Sequence, residues 1–260
     1  MLSVHTVCAV QRVVPQCSTI IGMQHNDFLP RRVLAIGAHP DDIDYGYAGS
    51  IAKWAQTGTE VSYLILTDGS KGTTDRTITP RKLSAIRRRE QEAAAKQLGA
   101  SDVFFLDYVD GELAVTQELK RDIVRYIRRV KPDTVLVFDP TVIYAPERGF
   151  INHPDHRAAG QATLDAVFPL ARDHLAFPEF LQDGLEPHKV STLLLMNFER
   201  QNFVVDITET LGQKISALVL HASQISDLEM ERVRVTQWAE AAGKPAGYRY
   251  AEAFMRIDID

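Results

Sequence analysis

The chain has 260 residues, a length that one α/β domain can fill, and its 45% hydrophobic and 24% charged residues are ordinary for a globular protein. Its 29 basic and 34 acidic side chains leave a formal net charge of −5, which argues against a binder of nucleic-acid backbones. Two cysteines exclude a disulfide framework, and no apolar run reaches the ~20 residues of a membrane span. No nucleic-acid partner is therefore expected, and the cytoplasm is the expected location. In the first 30 residues Arg12, Pro15 and Gln16 break up the apolar stretches, which is unlike a secretory signal. Residues 1–30 read as a poorly ordered extension, or as sequence upstream of a start at Met23, and residues 31–260 as one domain.

The regular pattern begins with Val33 to Ile36, a short apolar run of the kind found in buried parallel strands. A helix is expected over residues 44–57, with Ile51, Ala52, Trp54 and Ala55 on its apolar side. Val61 to Leu66 follows as a strand, then a polar loop from Ser70 to Thr79. Pro80 opens a helix that runs to Leu98 and stops at Gly99. Within it Arg87, Arg88 and Arg89 form the densest basic run, which reads as a solvated face. Val103 to Leu106 is a third strand, Gln117 to Val130 an amphipathic helix and Thr134 to Phe138 a fourth strand.

Residues 155–170 are expected to be helical. Val190 to Met196 and Phe203 to Ile207 read as strands, Thr208 to His221 and Ser226 to Ala242 as helices, and Tyr248 to Ile257 as the strand closing the sheet. The alternation predicts a single α/β domain, Rossmann-like, with a mostly parallel sheet and helices on both faces. Such a sheet binds ligands beyond the carboxyl ends of its strands, so the loops after Ile36, Leu66 and Phe138 are where chemistry is expected.

Polar residues cluster in those loops. Ala38-His39-Pro40-Asp41-Asp42 sets one imidazole and two carboxylates just beyond the first strand, the donor types of hydrolytic zinc sites. A helix cap is the simpler role for a single such aspartate. Asn152-His153-Pro154-Asp155-His156-Arg157 carries two histidines three apart at a helix start, where both can share one face. Two such clusters, each at a strand-to-helix transition, point to a shared metal site.

The paired motifs resemble those of the PIG-L/LmbE-like deacetylases, zinc enzymes that remove N-acetyl groups from glucosamine-containing and related molecules. Leu66-Thr67-Asp68-Gly69, Arg87 with Glu90, Asp206-Ile207-Thr208 and His221-Ala222-Ser223-Gln224 extend the resemblance from about Arg32 to Gln224. It implies one Zn2+ per chain on His39, Asp42 and His156, with Asp41 as general base. It also implies that His153, most usefully protonated, stabilises the oxyanion, and that Asp155 orients His153 and raises its pKa. Asp68, Arg76, Asp139 and His221 are candidate substrate contacts, for a small N-acetylated molecule.

Two departures stand out. Ile151 occupies the position where some members carry an oxyanion-side tyrosine, with Tyr144 nearby in sequence, and Asp44 stands where many carry glutamate. The divergent stretch 143–152 bears on the substrate more than on the reaction. Competing classes fare worse: there is no G-x-G-x-x-G after the first strand, no P-loop and no Gly-x-Ser-x-Gly elbow. A metal-binding but non-hydrolytic relative would have little need of Asp41. An amidase acting on a non-sugar conjugate and a homo-oligomer both stay open.

Overall fold

The computed structural model describes residues 28–146 and 149–260. Cys8, Cys17, Met23 and the rest of the expected extension up to residue 27 lie outside the described residues. Phe28 to Pro30 already belong to the packed body. The Phe28 ring stands edge-on to Trp54 and Phe203, with centroids 6.2 and 5.5 Å away, and the Thr59 hydroxyl donates to the Pro30 carbonyl at 2.6 Å.

The order is β1 (Arg32–Gly37), α1 (Asp42–Gln56), β2 (Glu60–Thr67), α2 (Pro80–Gln97), β3 (Asp102–Tyr108), α3 (Gln117–Val130) and β4 (Thr134–Phe138). A two-residue hairpin, β5 (Tyr144–Ala145) with β6 (Phe150–Ile151), then leads into α4 (Pro154–Asp165). The chain ends with β7 (Thr192–Met196), β8 (Phe203–Asp206), α5 (Leu211–Leu218), α6 (Leu228–Gly243) and β9 (Ala251–Asp258).

Local chemistry sets several of these limits. Thr79 and Thr116 cap α2 and α3 by accepting the N–H of Lys82 and Leu119, and Pro80 sits in the first turn, where no N–H is needed. Gly99, at φ +84, ends α2 in a left-handed turn. The helix expected over 155–170 stops as α4 at Asp165. Beyond it Phe168 adopts extended angles (φ −139°, ψ 119°) ahead of Pro169, whose ring disfavours the helical region for its predecessor. The helix expected over Thr208–His221 is shorter at both ends. The Thr208 N–H and hydroxyl both donate to Asp206, forming a turn that delays the start to Leu211.

The main sheet runs β3-β2-β1-β4-β7-β9-β8. The first five strands are parallel, and β9 is antiparallel to both neighbours. The last strand therefore does not close an edge but slots between β7 and β8. Along β1 the side chains alternate: Val33 and Ala35 join a core beneath α1, α2, α5 and α6, while Leu34 and Ile36 join another beneath α3 and α4. Burial on both faces explains why the strand is apolar throughout. β2 and β4 flank β1 on opposite sides, so the strand order reverses there. The crevice at that switch point opens between the loops after β1 and β4, the loops that hold the two motifs.

Candidate active site

The first loop turns sharply from β1 into α1. Asp41 occupies the N-cap position, yet its side chain makes no capping bond, and its φ of 104° is a left-handed value that asparagine, aspartate and glycine tolerate best. Such a conformation costs roughly 1–3 kcal/mol and persists only where neighbours hold it. Here the Asp41 N–H donates to the Gln91 side-chain oxygen at 2.9 Å, and the His39 N–H donates to Asp42 Oδ2 at 2.8 Å. A bare helix cap is thus not the role of either aspartate.

The second motif leaves the β5–β6 hairpin at Asn152, whose N–H donates to the Ile143 carbonyl and whose side-chain N–H donates to that of Val142. His153 caps α4 and Pro154 takes its first turn, so His153 and His156 rise from one end of the helix. The ring centroids of His39, His153 and His156 lie 4.8, 5.3 and 5.4 Å apart in pairs. Phe138, the last residue of β4, stacks on His156 with centroids 4.2 Å apart and planes 12° from parallel.

Hydrogen bonds assign the imidazole nitrogens. His39 Nε2 donates to Asp155 Oδ2 at 3.1 Å and lies 3.3 Å from Asp110 Oδ1, which leaves Nδ1 facing Asp42 Oδ2 at 3.5 Å. The Asn152 amide is turned by its bond to Val142, so its oxygen receives His156 Nδ1–H at 3.2 Å, and His156 Nε2 faces Asp42 Oδ1 at 3.1 Å. Each ring therefore donates through one nitrogen and turns the other, lone-pair-bearing when neutral, towards the Asp42 carboxylate. Two imidazole lone pairs and a carboxylate, each imidazole held from behind by an acceptor, are a donor set that fits a divalent cation. His153 differs. Its Nδ1 accepts the Asp155 backbone N–H at 3.2 Å, so in the neutral ring the proton sits on Nε2, where it can be donated.

The electrostatics agree. Burial opposes charge on His39, but Asp110, Asp155 and Asp42 outweigh it and push its pKa up to about 12. Burial likewise raises Asp42, and the charges of His156 and His39 more than reverse this, holding it well below the usual carboxylate range. The pocket thus has a strong affinity for positive charge. At Asp41 burial is the largest influence and lifts the carboxyl to about 6 against the pull of Arg87. That guanidinium, 4% exposed, stands 3.5 Å from Asp41 and 3.6 Å from Asp110, and donates to the carbonyls of Pro40, Gly69 and Lys71. The solvated face expected for Arg87 to Arg89 applies to Arg89, which is exposed, but not to Arg87.

Asp155 also corrects an expectation. Its carboxylate reaches His39 and takes the N–H groups of Gly111 and Leu113, while only its backbone meets His153. The Asp155 charge does pull the His153 pKa upward, as expected, but burial and the charges of His39 and His156 outweigh it and leave the value lowered.

Of the candidate substrate contacts, Asp68 Oδ1 braces its own loop by accepting the N–H of Ser70 and of Asp110. Asp139 is buried and holds Thr141 and Asn197. His221 lies in the turn after α5, with no exposed surface, bonded to Asp44. Arg76 is exposed in the loop before α2. Tyr144 pairs across the hairpin with Ile151, and the two side chains are 63% and 79% exposed. Sequence reasoning passed over Asp110, Gln91 and Asn152. Asp110 follows the third strand, whose loop belongs to the same edge of the sheet, and that position was its signal.

Residues 34–167, just over half of the chain and both motifs, match the model of the PIG-L family, described as GlcNAc-PI de-N-acetylase. The chain belongs to the PIG-L family. Among its relatives, the diacetylchitobiose deacetylase of Thermococcus kodakarensis is 36% identical over 233 residues, covering 87% of this chain and 83% of that protein. A probable N-acetyl-alpha-D-glucosaminyl L-malate deacetylase 2 of Bacillus anthracis is 28% identical, covering 75% and 82%. The solved N,N'-diacetylchitobiose deacetylase of Pyrococcus horikoshii, complexed with an inhibitor, superposes with a TM-score of 0.82 at 34% identity, covering 88% of this chain and 84% of that one. In this PIG-L family chain, among the described residues, no helix is long and apolar enough to cross a membrane.

Proposed function

We propose that the chain is a zinc-dependent N-deacetylase that hydrolyses the acetamide of a glucosamine-type sugar, releasing acetate and a free amine. The observation that carries this is the convergence of His39 Nδ1, His156 Nε2 and both oxygens of Asp42, with the Asp41 carboxyl near enough to interact electrostatically with Asp42 and His39. His39, Asp42 and His156 hold the cation in this account. Three protein ligands leave a position free, as catalytic zinc sites do. Bound there, the cation would polarise the amide carbonyl and acidify a water.

The remaining work falls to the chain's own side chains. Asp41, lifted towards neutrality by burial, takes a proton from the attacking water and returns it to the departing nitrogen. His153 Nε2–H donates to the oxygen that gains charge, a role the neutral ring fills without being protonated. Asp155 and Asp110 fix His39 from behind. The names of the relatives support an N-acetylglucosamine-type substrate. The cytoplasm remains the proposed location.

The test is elemental analysis of the purified protein, with acetate release from N-acetylglucosamine, diacetylchitobiose and N-acetylglucosaminyl malate followed on the same sample. About one zinc per chain, with release abolished by chelator and restored by zinc, is the expected result. No metal after zinc is supplied would refute the reading.

A further inference from the structure

Helix α2 lies behind the first motif, and three of its side chains, Arg87, Glu90 and Gln91, share one face at i, i+3 and i+4. Arg87 grips the Pro40 carbonyl. The Glu90 carboxylate accepts the N–H and the hydroxyl of Ser223 at 2.8 and 2.6 Å, tying down the turn that carries His221. Gln91 lies between them with no exposed surface. Its oxygen accepts the Asp41 N–H at 2.9 Å and its nitrogen donates to Asp44 Oδ2 at 2.7 Å.

Asp44 is equally buried. His221 Nε2 donates to its Oδ2 at 2.7 Å and the Tyr63 hydroxyl to its Oδ1 at 3.1 Å. A carboxylate offers no proton, so Gln91 must present its N–H to Asp44, and its oxygen is thereby turned to Asp41. The amide has one orientation, and no water can reach it to replace the bond.

We propose that Gln91 is a positioning residue for Asp41. Locked by the Asp44–His221–Tyr63 cluster, it supplies the acceptor that holds the Asp41 backbone in its left-handed conformation and so aims the carboxylate at the reacting water. This rests on the reading of Asp41 as the general base. Among the described residues, Gln91 makes no hydrogen bond to His39, Asp42, His156 or His153, so its effect should be confined to the step Asp41 serves.

The test replaces Gln91 by Met, of similar volume but without the acceptor, in the zinc-loaded full chain with diacetylchitobiose as the probe. Expected are a fall in kcat of about 10- to 100-fold, the scale of an ångström-sized misplacement, a KM within about twofold of the parent and zinc still near one per chain. In an Asp41→Asn background the same change should alter the residual rate by less than about twofold, because the group it positions is already gone. An equal loss in both backgrounds, or parent-level turnover of Gln91→Met, would overturn the proposal. If Gln91→Met does not fold, Gln91→Asn, polar but one methylene short of spanning both partners, is read by the same criteria. A parent that releases no acetate, or an Asp41→Asn variant at full rate, would instead refute the underlying reading before any Gln91 variant is made.

Discussion

Asp155 aims its carboxylate at His39, 3.1 Å from Nε2, and offers His153 only a backbone N–H. The residue between the two histidines of the second motif therefore serves the first motif. An acceptor behind a ligating imidazole fixes its tautomer and raises its basicity, and losing one typically weakens metal binding ~10- to 100-fold. Asp155→Asn should show a weakening of that order in zinc competition. Loss of turnover at full zinc loading and unchanged affinity would instead restore the role read from sequence, a partner for His153.

As the proposed general base, Asp41 should set the acid side of the pH profile. A base must be ionised to work, so kcat/KM should rise with pH through the pKa of Asp41. Burial holds that group up to about 6 against Arg87, and a neighbouring cation would lower it. The acid limb should therefore centre at or below pH 6. Asp41→Asn should keep its zinc and lose roughly 100- to 10,000-fold in turnover, whereas His156→Ala should lose both. Profiles of kcat/KM between pH 4.5 and 8, with zinc measured on each variant, decide this, and parent-level hydrolysis by Asp41→Asn would remove it as the base.

Much of this was legible in the residues. The apolar runs located the parallel strands because a strand buried on both faces has no polar side to obscure it. α3 and β4 match their expected limits, since Thr116 and Pro132-Asp133 bracket them with strong local signals. The position of β9 was not legible: pairing between β7 and β8 depends on which strands lack neighbours, a tertiary property. Nor were Asp110 and Gln91. Each stands alone in its segment, and its meaning arises only when β3 and α2 bring it within 3.3 Å of His39 and 2.9 Å of the Asp41 nitrogen. The direction of the Asp155 carboxylate escaped for the same reason, because adjacency in sequence favoured His153.

His153 should behave as a neutral donor. Its lowered pKa and the N–H it accepts from Asp155 leave a proton on Nε2 at pH 7. His153→Ala should cost about 100- to 1,000-fold in kcat, the usual scale for one oxyanion donor, while zinc stays at one per chain. Loss of the metal in this variant would show that His153 is a ligand, as its position among three clustered imidazoles would also permit.

His221 links the site to stability. Burial alone would lower its pKa, but the Asp44 carboxylate outweighs burial, so the folded value is raised above the ordinary ~6.5. A raised histidine contributes its full stabilisation below the unfolded pKa and loses it as pH climbs through the folded one. The charged pair with Asp44 should therefore support the fold most strongly in mildly acidic solution. His221→Gln keeps a polar group at the position but cannot carry the charge. The Tm gap between parent and His221→Gln, followed from pH 5.5 to 9, should be widest at the acid end and narrow as pH rises. A gap that does not change with pH would mean that His221 is neutral in the folded chain and that Asp44 is held by hydrogen bonding alone.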